Sequence, residues 1–208
     1  MAVFSCRGHS VLFVHIPKCA GTSVTAMLEG LGEKRFDDRI RIGRHALRPR
    51  HLPREALERI FLPGMFDYSF MMVRNPVERV LSEYRYQCRK AFPRWQAILG
   101  FDRWLALSLA RAAQDPWYRE NHFRPQTDFR VFDCDVFRIE EGLAPLVGKL
   151  AAITGMDMPA VTEHRNRTEA QDIRMTRRSL ESILRTYRAD FEAFGYPSEV
   201  QDYHSLLR

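Results

Sequence analysis

The run Val11-Leu12-Phe13-Val14-His15-Ile16 is apolar at all but one position, and it breaks into Pro17-Lys18-Cys19-Ala20-Gly21-Thr22-Ser23. Beyond the break, Val24, Met27, Leu28 and Leu31 recur at helical spacing. The first segment reads as a short strand buried on both faces, as in a parallel sheet. The second reads as a helix with one apolar stripe, and Gly32 is the expected stop. The turn between them is rich in groups that bind anions. Backbone N–H groups at a helix start point outward without partners, and the helix dipole favours negative charge there. Gly21 admits close approach, the hydroxyls of Thr22 and Ser23 add donors, and Lys18 brings a mobile charge.

The strand-to-helix pattern recurs down the chain. Tyr68 to Val73 is a second buried strand, followed by Arg74-Asn75-Pro76 and a helix striped by Val77, Val80, Leu81, Tyr84 and Cys88. A third unit joins a strand at Val136 to Ile139 to a helix carrying Leu143, Leu146, Val147, Leu150 and Ile153. A last helix is expected from Thr176 to Phe194, closed by Gly195. The arginine-rich stretch from Glu33 to Arg50 has weak periodicity and is expected to be mostly loop, with Pro53 opening a short helix. Strands alternating with helices predict an α/β fold around a largely parallel sheet flanked by helices. No linker, repeat or low-complexity run divides the 208 residues, so a single domain over 1–208 is expected.

Charge and cysteine usage narrow the function classes. The formal charge is +6, which suits anionic partners such as phosphates and acidic glycans. The basic residues are dispersed, with no stripe interleaved with aromatics, which argues against a nucleic-acid partner. Cys6, Cys19, Cys88 and Cys134 form no C-x-x-C pair, so neither zinc nor a disulfide framework is expected. No segment approaches the roughly 20 apolar residues that span a bilayer, and a cytoplasmic setting is expected.

The turn is not a Walker A loop, in which the lysine directly follows the second glycine; here Lys18 precedes Gly21. A second anion-binding candidate is Arg74 at a strand end with Ser82 two helical turns on. Alone, Arg74 or Arg79 could simply pair with Glu78 or Glu83 at the surface.

Taken together, Ile16-Pro17-Lys18-x-x-Gly21-Thr22-Ser23 resembles the 5′-phosphosulfate loop of sulfotransferases that use 3′-phosphoadenosine 5′-phosphosulfate (PAPS). Val73-Arg74-Asn75-Pro76-x-x-Arg79-x-x-Ser82-x-Tyr84 resembles their 3′-phosphate motif. Asn121-His122-Phe123-Arg124-Pro125-Gln126, Phe137-Arg138-Ile139-Glu140 and the ending Tyr187-x-x-Asp190-Phe191-x-x-Phe194-Gly195-Tyr196 are similar to further segments of the carbohydrate-type family. The resemblance implies a three-layer sandwich like that of P-loop NTPases. It implies that Lys18 contacts the bridging oxygen, and that Cys19, Ala20, Gly21, Thr22 and Ser23 cradle the 5′-phosphosulfate. Arg74 and Ser82 would read the 3′-phosphate, and PAP would be the product. The transferred group carries less charge than a phosphoryl group, which makes a metal less necessary, and none is expected.

The resemblance and the chemistry together call for a base. Histidine is the usual choice near neutral pH. His51, just ahead of Pro53, is the first candidate, His45 the second and His122 the third. His122 and Gln126 are otherwise expected to shape the acceptor site. The 165–167 stretch, Arg165-Asn166-Arg167, is a candidate neighbour of the donor, and Glu140 is expected to cap a helix. The acceptor is expected to be a hydroxyl on a sugar, and the arginine-rich 35–54 stretch suits an acidic glycan. The competing readings are a nucleotide-dependent kinase, against which the displaced lysine argues, and a polyanion-binding protein.

Overall fold

Full burial over four successive residues marks the two central strands. Val11 to Val14, and again Phe70 to Val73, expose none of their surface, as strands covered on both faces must. The computed structural model describes residues 2–37, 40–42, 45–47, 49–90, 99–155 and 173–208, with backbone alone at 40–42, 45–47 and 90. The chain divides into two compact units: Met1–Val73 with Asp128–Asn166, and Arg74–Thr127 with Arg167–Arg208.

The first unit is built on a five-stranded sheet in the order β3-β1-β2-β6-β7. Its strands are β1 (Ala2–Cys6), β2 (His9–Val14), β3 (Glu33–Arg35), β6 (Tyr68–Val73) and β7 (Asp135–Arg138). β2, β6 and β7 run parallel, with Val14 opposite Met71 and Val73 opposite Arg138. β1 runs antiparallel to both of its neighbours. Arg7 and Gly8 join β1 to β2 with φ of 46° and 87°, the handedness that matches strand twist in a two-residue hairpin. Phe13 stacks on Phe70 at 5.0 Å, and Phe70 meets the edge of Phe137 at 6.2 Å, so one aromatic line crosses the parallel half of the sheet. Helices α1 (Gly21–Glu29), α2 (Arg54–Leu57) and α5 (Ala144–Thr154) belong to this unit.

The 33–50 stretch is not mostly loop: it holds β3 and a hairpin of β4 (Ile40–Ile42) and β5 (His45–Leu47). These strands are three residues long, too short for alternation to register, and β3 is wholly charged, as edge strands often are. The strand β1 is likewise absent from the sequence reading. Gly32 does not stop α1, which ends at Glu29 with Gly30 as its cap. Instead, a Cβ at position 32 would lie 2.0 Å from the Ser5 carbonyl oxygen, so Gly32 lets the chain cross tightly over β1. Pro53 is the cap of α2 rather than its first residue.

The second unit is helical. It contains α3 (Pro76–Lys90), α4 (Phe101–Gln114), α6 (Arg177–Thr186) and α7 (Arg188–Phe194). The sequence reading has no counterpart to α4, and it joins α6 and α7 into one helix. The break falls at Tyr187, whose φ of −107° leaves the helical region while its buried hydroxyl donates to the Phe123 carbonyl at 3.0 Å. Gly195 closes α7 in the left-handed conformation, as expected. Tyr84, Phe101, Trp104 and Phe123 form its aromatic core. Among the described residues no helix is long and apolar enough to cross a membrane.

The Gly32 crossing carries a direct test. Gly32→Ala forces a methyl against backbone rather than against a pliable side chain, and should cost about 1–3 kcal/mol. Urea unfolding should show a lower midpoint at an unchanged slope.

Candidate functional site

In the first unit the chain leaves the sheet at Val14 and turns back into α1 within six residues. Lys18 and Ala20 hold φ of 68° and 57°, left-handed positions that cost energy for residues with a Cβ and persist where the surroundings impose them. Ala20 caps α1, accepting from Ser23 and Val24 N–H at 3.0 and 3.1 Å. Ala20 has no side-chain acceptor with which to cap this N-terminus, and the first turn carries no acidic residue. The positive end of the helix dipole is therefore left without a carboxylate from its own helix. Lys18 and Ser23 are partly exposed and Thr22 is exposed, whereas the Cys19 thiol is buried and donates back to the Pro17 carbonyl. Cys19 takes part in the loop through its backbone.

Gly21 is required by a neighbour rather than by its own φ. A Cβ there would stand 1.7 Å from Nε2 of His15, so the imidazole occupies the space a side chain would need. His15 is buried, stacked on Phe13 at 5.3 Å and met edge-on by His51 at 4.9 Å. Nδ1 of His51 lies 3.1 Å from the His15 carbonyl oxygen. A carbonyl can only accept, so Nδ1 carries the proton and Nε2 is the basic nitrogen of the neutral ring. That is the tautomer a general base needs. His51 ends the short 3-10 turn Pro49–His51.

Arg50, the neighbour of His51 in that turn, pairs with Asp37, whose side chain is 4% exposed. Arg50 donates to it through Nε at 2.9 Å and Nη2 at 2.6 Å, and Lys34 lies at 3.1 Å. Burial alone would raise the Asp37 pKa, but the bonds from Arg50 and then Lys34 outweigh it and hold the carboxyl at about 2.

In the second unit Arg74 lies two residues before the start of α3. Gln126 clasps its peptide, accepting from Arg74 N–H at 2.9 Å and donating to Arg74 O at 2.8 Å. Gln126 is fully buried, and Asp190 accepts from its backbone at 2.8 Å. Its amide thus fixes the Arg74 backbone. Asn75 caps α3 by accepting from Val77 N–H at 2.9 Å and donates to the Tyr203 hydroxyl at 2.8 Å. The Arg74 guanidinium lies 3.5 Å from Glu78, and Ser82 is half-buried further along α3. Arg79 is buried and donates to the carbonyls of Arg124 and His122 at 2.8 and 3.1 Å, which places it in the scaffold.

His122 meets Glu83 at 2.8 Å through Nδ1. Gln87 donates to Glu83 at 2.6 Å, and Trp104 donates to Gln87 at 3.0 Å. A buried carboxylate thus orients a histidine, again leaving Nε2 as the basic nitrogen. The residues before it, Arg119, Glu120 and Asn121, are all left-handed, with φ of 50°, 54° and 67°.

Of the sequence candidates, Lys18 to Ser23 and His51 share the first unit, and Arg74, Ser82, His122 and Gln126 share the second. His45 lies on β5, but its side chain falls outside the described residues, as do Arg165, Asn166 and Arg167 altogether. Glu140 is exposed within the 3-10 turn Ile139–Glu141, whose N-cap residue is Arg138. The described residues hold no cluster of metal-ligating side chains. Sequence reasoning missed His15, Asp37 and Glu83. Only His15 carried a signal, as the single polar residue of an apolar strand run.

The family model described as "Sulfotransferase family" matches residues 1–197. No curated protein and no solved structure matches the chain.

Asp37 sets an acid dependence. Its pKa is lowered on folding, so its contribution is complete above the ordinary value of 3.8 and is lost as pH falls through about 2. Acid unfolding followed by circular dichroism should show Asp37→Asn less stable than the parent at pH 6, with the gap closing between about pH 4 and 2.

Proposed function

Since the chain belongs to the sulfotransferase family, we propose that it is an enzyme that moves a sulfuryl group from PAPS to a hydroxyl acceptor, with 1–208 acting as one sulfotransferase domain on a sandwich like that of P-loop NTPases. The observation that carries this reading is the α1 N-terminus, whose cap residue is Ala20 and whose first turn holds no carboxylate, with Lys18 in the loop before it and Nδ1 of His51 on the His15 carbonyl. The anionic 5′ end of the donor fits a helix start of this kind. Backbone groups from Cys19 to Ser23, with the hydroxyls of Thr22 and Ser23, hold it. Arg74, its peptide clasped by Gln126, reads the 3′-phosphate with Ser82. The 165–167 residues are further donor contacts in this proposal.

The reaction follows from these roles. Nε2 of His51 takes the proton of the acceptor hydroxyl while that oxygen bonds to sulfur. The bond from sulfur to the 5′-phosphate oxygen breaks, and PAP leaves with the electron pair. Lys18 stabilises the charge that develops on the departing oxygen, an electrostatic effect that is strongest in the transition state. His45, on the neighbouring hairpin segment, stands second for the base within this unit.

A second assignment of the base has its own support. Glu83 orients His122 as the third member of a catalytic triad orients its histidine, through a short bond from a buried carboxylate. In that version His51 shapes the donor loop and His122 takes the proton. In the first version His122, positioned by Glu83, belongs to the acceptor side, while Gln126 acts there through the backbone it holds. The acceptor is proposed to be a sugar hydroxyl. The charge of +6 and the arginines of the 35–54 stretch favour an acidic glycan over a neutral one. Four cysteines without a disulfide fit a cytoplasmic setting.

The donor and the base are tested separately. PAP at 100 times its Kd should stabilise the protein by about 2.7 kcal/mol in thermal unfolding, and ATP with Mg²⁺ should not; stabilisation by ATP–Mg²⁺ alone would indicate a kinase. With radiolabelled PAPS and a panel of unsulfated chondroitin, a neutral oligosaccharide and a phenol, Lys18→Ala should depress turnover and Arg74→Ala should chiefly weaken PAP binding. His51→Ala should lower turnover by about 10²–10⁴-fold with PAP binding intact. If His122→Ala produces that loss while His51→Ala does not, the base is His122.

A further inference from the structure

We infer that Asp37 is a positioning residue for His51, acting through Arg50. The inference rests on the reading of His51 as the base and adds a residue that neither the loop motif nor the 3′-phosphate motif contains. Asp37 follows β3, fourteen residues before His51 in the chain, so only the fold joins them.

The connection can be traced bond by bond. Arg50 binds Asp37 bidentately at 2.9 and 2.6 Å, a geometry that fixes the plane and direction of the guanidinium. Arg50 and His51 are consecutive in a single 3-10 turn, so holding one limits the rotation of the other. The buried Pro49 and Leu52 on either side confine that turn further, with Leu52 N–H donating to Pro49 O at 3.3 Å. His51 then reaches the His15 carbonyl at 3.1 Å. At the far side Lys34 bridges Asp37 to Glu29, the last residue of α1, at 3.1 and 2.5 Å. His15 in turn seats its ring against Gly21, the first residue of α1. The chain of contacts therefore begins at one end of α1 and returns to the other, passing through Asp37 and His51.

Asp37 is chemically suited to the centre of this circuit. Its side chain is 4% exposed against 35% for Arg50 and 26% for Lys34, so the carboxylate is the buried member and the cations are drawn to it. A charged group at this depth is costly unless paired, and removing it takes away the bidentate pair that sets the plane of the Arg50 guanidinium. A plain scaffold could use an apolar residue there. A bidentate pair adds direction, and direction is what a hydrogen bond from an imidazole to one carbonyl needs.

The test reads the tautomer of His51 directly, so it does not depend on the acceptor. Two-bond proton–nitrogen correlation spectra of the full chain with labelled histidines, with and without PAP, should show His51 as the Nδ1–H tautomer. Asp37→Asn should move it toward Nε2–H, Arg50→Lys should do so partially, and Asp37→Glu should restore the parent pattern. PAP affinity should change by less than about twofold in all three. If the buried-charge variant fails to fold, Arg50→Lys alone decides. A His51 signal that remains Nδ1–H in every folded variant, or that is Nε2–H in the parent, overturns the inference. If instead His51→Ala keeps full turnover with PAPS, the assignment of the base fails while the tautomer result still stands for or against Asp37.

Discussion

The parallel pairing of β2 with β6 is the constraint from which the rest of the first unit follows. Both strands are buried on both faces and point the same way, so their carboxyl ends emerge at one edge of the sheet. Chains leaving such an edge must turn sharply, and β2 does so with two left-handed residues before α1 begins. Crevices beyond the carboxyl ends of parallel strands are where α/β proteins bind ligands. The turn after β2 meets that rule with a helix start that has no carboxylate in its first turn and a lysine in the turn itself.

Polar burial does a different job in each unit. In the second unit Asp190 is wholly inaccessible, yet it accepts from the N–H groups of Gln126 and Thr127 and from the Thr127 hydroxyl. It fixes the segment that presents Gln126, which then clasps the Arg74 peptide. Glu83 does the same for His122. In the first unit the buried carboxylate is Asp37, and it acts on cations. Each of these groups would be expensive to bury alone and is instead enclosed by donors, which gives each segment one arrangement instead of several.

Much of the fold was legible because burial writes itself into periodicity. The bounds of β6 match the apolar run from Tyr68 to Val73, and α3 carries the expected stripe. The short strands were not legible. Glu33-Lys34-Arg35 carries no apolar residue to alternate, and its pairing with β1 is decided by backbone hydrogen bonds that any sequence can make. The loop of the candidate site was readable for a related reason: its residues are contiguous, so lysine, glycine and hydroxyls appear side by side. Asp37 and Glu83 were not, because each acts on a histidine 14 or 39 positions away. Gln126 was readable as a motif member, but its clasp on a backbone is invisible to residue type. The role of Gly32 was hidden as well, since a glycine near a helix end looks like a stop whether or not another strand passes beneath it.

The charged edge of the sheet has a consequence for how the molecule behaves in company. β3 is an outer strand, and all three of its side chains are ionic. Lys34 is drawn inward to Glu29 and Asp37, while Glu33 and Arg35 pair with each other at the surface. A second chain that tried to extend the sheet there would have to strip water from both surface charges and compete with a pair already formed. Three residues thus guard one of the two outer edges of the sheet, and on that side the apolar strands behind them are shielded from pairing with a second chain.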